Sequence, residues 1–117
     1  MRICVDLDGT ICTLAKNSDY ANAELLPNAV ETLKKLKEQG HYIIIYTARR
    51  MRSQNGDVSR VVEEIGKLTI SWLKSHDVPY DELIFGKPYA HIYIDDLAVP
   101  FTSWEKIVLY SESWKPE

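Results

Sequence analysis

A chain of 117 residues is sized for one domain built around one core. Its 45% hydrophobic and 26% charged residues are ordinary for a globule and argue against a disordered or membrane protein. A net charge of −3 supplies no general field for nucleic acid, and no run approaches the roughly 20 apolar residues of a membrane span.

Met1 leads almost at once into an apolar run with no basic region or cleavage site, so a cytoplasmic protein without a signal peptide is expected. Residues 2–6 (RICVD) read as a buried strand, with Cys4 as a small buried hydrophobe. Cys4 and Cys12 lack CxxC spacing, which argues against a redox pair. Pro27 can open a helix in which Val30, Leu33 and Leu36 recur at helical spacing, and Gly40 can close it. "HYIIIYTAR" then predicts a second buried strand at about 42–46.

A long amphipathic helix is predicted over 58–75, with Asp57 as its N-cap and Val58, Val61, Val62, Ile65, Leu68, Trp72 and Leu73 in its apolar stripe. "ELIF" (82–85) and "HIYID" (91–95) read as strands three and four, and 103–110 as a short helix or strand. Strands alternating with helices predict an α/β fold, a Rossmann-like and mainly parallel sheet flanked by helices in one domain over 1–117. One feature conflicts with that plan. Only Gly86 to Ala90 separate strands three and four, where a helical crossover takes a dozen or more residues. His41, His76 and His91 lack metal spacing and read as surface or capping residues.

Ligands of such sheets bind at the carboxyl ends of the strands. Those ends carry Asp6-Leu7-Asp8-Gly9-Thr10, Thr47-Ala48-Arg49, Gly86-Lys87-Pro88 and Asp95-Asp96. Clustered carboxylates without histidine or cysteine ligands form a hard oxygen site suited to Mg2+. A lysine and a threonine hydroxyl beside them suit an anionic phosphoryl group. Gly9, Thr10 and Ala48, in the same tip motifs, are candidate substrate contacts. Arg49 and Arg52, in the arginine-rich loop 49–60, are candidates for a second anionic group on the substrate.

DLDGT after an apolar strand, Thr47 at the next strand's tip, the GKP lysine and a strand ending in DD resemble the four motifs of the haloacid dehalogenase (HAD) phosphatases. The resemblance implies Asp6 as nucleophile and metal ligand. It implies Asp8 as acid and base, with its carbonyl on the metal, and Thr47 and Lys87 as holders of the phosphoryl group. Asp96, with Asp95 as its rival, would complete the metal site. Residues 11–27 are too short for a cap domain, so the chain is similar to the minimal, capless type, in which loops 13–26 and 49–57, a macromolecular substrate or a neighbouring subunit must close the site. A homo-oligomer is therefore expected.

More finely, "TARRMRSQNGDVSRV", "WLKSHDVPYDELIFGKP" and "YIDDLAVP" are similar to small HAD phosphatases of capsule and polysaccharide biosynthesis, which implies a sugar phosphate or related small phosphomonoester. The alternatives are a nucleotidase or nucleic-acid end phosphatase, against which the acidic balance argues, and a non-catalytic phosphate-binding module.

Overall fold

Alternation of exposed and buried side chains sets the central layer. In the computed structural model, which describes residues 1–116, β1 (Arg2–Asp6), β2 (Tyr42–Thr47) and β3 (Glu82–Phe85) form a parallel sheet in the order β1-β2-β3. Cys4 pairs in register with Ile44, and Tyr46 with Ile84.

The two β–α–β connections run in the same direction across the sheet. Right-handed crossovers therefore place α1 (Ala29–Glu38) and α2 (Val58–Ser75) on one face. That face holds the core: Val5, Ile43 and Ile45 against Leu33, Leu36, Trp72 and Leu73. The third helix, α3 (Trp104–Ser111), packs beside α1 and adds Trp104 and Ile107 to the same core. The opposite face is much less covered. Arg2, Cys4, Tyr42 and Ile84 on it are exposed, and Ile44 and Tyr46 are only half-buried.

Local chemistry fixes the ends. Asp57 caps α2 by accepting from the Arg60 N–H, and Ser103 caps α3 by accepting from the Lys106 N–H. Residues 103–110, open between helix and strand in the sequence, are thus settled as helix. α1 starts two residues past Pro27, after Asn28 in a left-handed conformation whose side-chain amide donates to Glu105 at 2.6 Å. Gly40 follows α1 at φ 90°, and the His41 N–H returns to the Leu36 carbonyl. Asp81 ties β3 to the other elements, accepting from Lys37 Nζ at 2.6 Å and from the Ile43 N–H at 2.7 Å.

Three expectations are corrected. Residues 91–95 form no strand: from Pro88 to Pro100 every residue is exposed and no regular element forms. Cys4 is exposed rather than buried, because its face of β1 is not covered. His41 is buried rather than a surface residue, only 2% exposed, beside the Met1 ammonium.

Burial, helped by that ammonium, holds the His41 imidazole below its ordinary value of 6.5. The unfolded chain therefore takes up a proton at a pH where the folded chain does not. His41 contributes stability that is present above pH 6.5 and is lost as the pH falls toward the depressed folded value. In His41→Gln, urea midpoints will depend less on pH across that interval than in the wild type, whereas parallel profiles would contradict the assignment.

Candidate active site

The tips of three strands, not four, build the site. β1 ends at Asp6, and the chain then folds into a tight loop. The Gly9 N–H donates to the Cys12 carbonyl at 2.7 Å, and the Ile11 N–H to the Leu7 carbonyl at 2.9 Å. Gly9 sits at φ 88°, a left-handed conformation that favours glycine, so the loop can reverse without strain. Leu7 and Ile11 are fully buried, which anchors the loop and turns Asp6 and Asp8 outward.

The two acids have different partners. Asp6 receives Lys87 Nζ at 3.2 Å on one oxygen and the Thr10 hydroxyl at 3.3 Å on the other. Asp8 is gripped by a fork: Arg49 Nε and Nη2 each donate to one of its oxygens at 2.9 Å. The Arg49 side chain is wholly buried, with Nη1 donating to the Thr69 hydroxyl at 3.1 Å and Tyr20 stacked on the guanidinium at 4.4 Å. Asp6 is thus half-open beside a cation, and Asp8 is held rigidly.

Lys87 reaches Asp6 from the β3 side. Gly86 precedes it at φ 101°, and a Cβ there would lie 3.0 Å from Val58 Cγ2. Glycine is required at that bend on both counts.

Together with loop 49–53 and residues 15–20, the acids line an open pocket of about 570 Å3. Tyr20, Ala48, Arg50, Arg52 and Tyr89 complete its wall. Arg52 lies over the Tyr89 ring at 5.4 Å, and Arg50 is paired with Glu64 at 2.8 Å. Loop 13–26 is pinned over this side by the Trp72 indole N–H, which donates to the Ala23 carbonyl at 3.0 Å. Trp104 donates likewise to the Thr10 carbonyl at 2.7 Å, tying α3 to the acid loop.

Other expected residues have different positions. Arg49, like Arg52, was a candidate for a second substrate anion, but its donors are taken up by Asp8 and Thr69, so it positions an acid instead. Thr47 is buried and does not line the pocket; its hydroxyl accepts from the Arg49 N–H at 3.1 Å, setting the turn that delivers that arginine. Gly9 and Thr10 direct their N–H groups into their own loop, leaving the Thr10 hydroxyl as the contribution to the site. Asp95 and Asp96 do not join the pocket. Both are exposed in the segment after Lys87, where Asp95 accepts from the Leu97 N–H at 2.8 Å.

Two residues escaped the sequence. Thr69 is a fully buried polar side chain on the apolar stripe of α2, and a buried hydroxyl demands a partner. That demand was the available signal for Arg49. Cys12 lies 3.5 Å from Asp8, and its thiol is pushed up to about 12, first by burial and then by the charge of Asp8. It is a protonated filler rather than a nucleophile. Iodoacetamide at pH 8 will label native protein at Cys4 and spare Cys12, while denatured protein takes two adducts by mass. Rapid native labelling of Cys12 would contradict its burial.

Asp6 and Asp8 provide hard oxygen donors with no competing thiolate or imidazole, a donor set that fits magnesium. Among the described residues, no three His, Cys, Asp or Glu side chains are grouped to hold a metal ion. The same residues include no helix long and apolar enough to cross a membrane.

A parallel α/β sheet with an acid pair and a lysine at its tips is the frame of a phosphoryl-handling hydrolase. The family model for haloacid dehalogenase-like hydrolases matches residues 3–71, and the chain belongs to that family. A solved protein from Vibrio cholerae is similar at 36% identity and a TM-score of 0.80, over 95% of this chain and 96% of its own. A chain of the Pnkp1/Rnl/Hen1 complex is similar at 25% identity and a TM-score of 0.52, over 81% of this chain but 30% of that one. In a second structure, titled as the Pnkp1/Rnl/Hen1 RNA repair complex, the match has 21% identity and a TM-score of 0.52, over 99% of this chain and 33% of that one, a likeness of fold alone. No curated protein matches the chain significantly.

Proposed function

We propose that the chain is a magnesium-dependent phosphomonoester hydrolase of the capless type, acting through an aspartyl-phosphate. The carrying observation is the unequal treatment of two acids one residue apart, Asp6 open beside Lys87 and Asp8 fixed by Arg49. An Asp6 oxygen attacks phosphorus, the ester P–O bond breaks, and Asp8 gives its proton to the departing alkoxide. Water then attacks the phosphoaspartate phosphorus and Asp8 takes the water's proton. Inorganic phosphate leaves and the Asp6 carboxylate is restored. Lys87 offsets the charge that gathers when a carboxylate meets a phosphate dianion. Magnesium, held by Asp6 and Asp8, would supply the remaining neutralisation.

The pocket favours a small phosphorylated metabolite. Arg52, Ser18, Ser53 and Tyr20 line the pocket with the acids, and their side chains can donate to hydroxyls and to a second anion, as a sugar phosphate offers. The resemblance of residues 47–61, 72–88 and 93–100 to polysaccharide-biosynthesis phosphatases supports the same substrate class. A second reading, a nucleic-acid end phosphatase, is supported by Arg52 and Tyr89 at the mouth, a cation beside an aromatic ring.

A magnesium-dependent screen across sugar phosphates, nucleotides and phosphorylated oligonucleotides, with Asp6→Asn as blank, separates them. Highest kcat/KM on a sugar phosphate supports the first reading. Highest kcat/KM on oligonucleotides, with steep salt dependence, supports the second. No hydrolysis of any phosphomonoester defeats both.

A further inference from the structure

Residues 88–100 pose a physical problem. Ile92, Ile94 and Leu97 are 77%, 98% and 87% exposed, three large aliphatic side chains in a β-rich run left in water. At the other side of the molecule β1 pairs, among the described residues, only with β2, which leaves its second edge open beside the exposed Cys4. An unpaired parallel edge is a template for one more strand. The pocket beside that edge has two carboxylates, while the two acids of the exposed segment lie outside it, Asp95 accepting from the Leu97 N–H of its own segment.

The segment cannot reach its own β1 edge in the useful direction. The Lys87 N–H donates to the Thr47 carbonyl at 3.1 Å, so the chain still follows the line of β3 there. From that line past β2 and β1 to the open edge is three strand spacings, about 14 Å. To run parallel to β1 with Asp95 level with Asp6, His91 must also start about 13 Å below the tips. The combined distance, roughly 19 Å even straight through the sheet, exceeds the about 14 Å that four extended residues from Lys87 to His91 can span. An antiparallel course would carry Asp95 and Asp96 away from the pocket.

We propose that two copies of this chain exchange residues 88–100. Each arm adds a parallel strand to the open β1 edge of the other copy, so that Asp95 and Asp96 of the partner subunit complete each acid site. A second copy supplies what a single chain lacks: a strand of the right composition, free of the short tether that blocks closure within one chain. Exchange of an identical element is a low-cost route to a symmetric dimer. It buries the stranded aliphatic residues and turns a two-acid site into a hard oxygen cluster. The completed site presupposes the magnesium reading of Asp6 and Asp8 above; the strand exchange itself does not.

The tests therefore read assembly and metal separately from turnover. Placing Asp95 beside Asp6 sets residue 93 beside Cys4. In Tyr93→Cys, a short bismaleimide will join residue 93 to Cys4 in a product of twice the chain mass. Sedimentation will show a dimer, and Ile94→Asp, at a side chain that touches little of its own subunit, will show monomers. A heterodimer purified through two tags, one copy Asp6→Asn and the other Asp95→Asn/Asp96→Asn, will hold about half the wild-type number of full-affinity magnesium sites by calorimetry. Each parent homodimer will hold none. A bridge confined to one chain, a monomeric wild type, a dimer indifferent to Ile94→Asp, or, where the wild type binds magnesium, a heterodimer without recovered sites would each overturn the exchange. If the wild type neither binds magnesium nor hydrolyses phosphomonoesters, the enzymatic reading falls, while a twice-mass bridge still establishes the exchanged strand.

Discussion

Asp6→Asn will leave the fold intact and slow phosphomonoester turnover at least about a thousandfold, the scale on which loss of a nucleophile is felt. The amide matches the carboxylate in size and can still accept from the Thr10 hydroxyl. It cannot attack phosphorus, and it no longer offers Lys87 a charge. The ion pair it breaks is partly exposed, so its loss is worth about 1 kcal/mol or less and the melting temperature should move little. The check is kcat with an aryl phosphate and magnesium, alongside a thermal melt. Retention of a tenth of wild-type turnover would remove Asp6 from the centre of the mechanism.

Arg49→Met carries the second large effect, and it should appear in both stability and rate. The substitution keeps an unbranched buried side chain but leaves Asp8 without its fork and the Thr69 hydroxyl without its donor. Breaking such a pair in a mostly buried setting costs about 2–4 kcal/mol, readable as a shift in urea midpoint. An acid/base freed from its clamp loses orientation, so kcat should fall by about ten- to a hundredfold with KM nearly unchanged. Arg49→Lys will recover only part of both, since an ammonium cannot reproduce two parallel N–H bonds. Arg52→Ala should give the reverse pattern, a raised KM on unchanged stability, because Arg52 is exposed and lines the pocket mouth. A raised KM and unchanged stability in Arg49→Met would return Arg49 to substrate recognition.

These contrasts show which parts of the molecule are local enough to read from sequence. β1 and β3 lie where their apolar runs place them, β2 runs one residue longer, and α2 spans Val58–Ser75 as its stripe and Asp57 cap predict. Each is specified by residues within one element. The acid pair was legible for the same reason, since DLDGT carries strand end, turn and both acids in five residues. Arg49 was read as a substrate contact because an arginine in a loop beside the acids looks free to bind an anion, and its partners lie 41 residues before it and 20 after. His41 was misread because burial behind the helix α1 end is a tertiary fact. "HIYID" has the composition of a buried strand, and nothing in its own residues reveals that its tether is too short for its own sheet. The five-residue gap did carry that information, as a conflict with the expected topology.

The central claim is that Asp6 becomes covalently phosphorylated. An acid-quenched, magnesium-supported reaction with an aryl phosphate, treated with borohydride and digested, tests it most directly. Reduction of an acyl phosphate converts the aspartate to homoserine, so mass spectrometry should find homoserine at position 6 in the wild type and none in Asp6→Asn. An unmodified Asp6 under full turnover, or homoserine at another acid, would contradict the account.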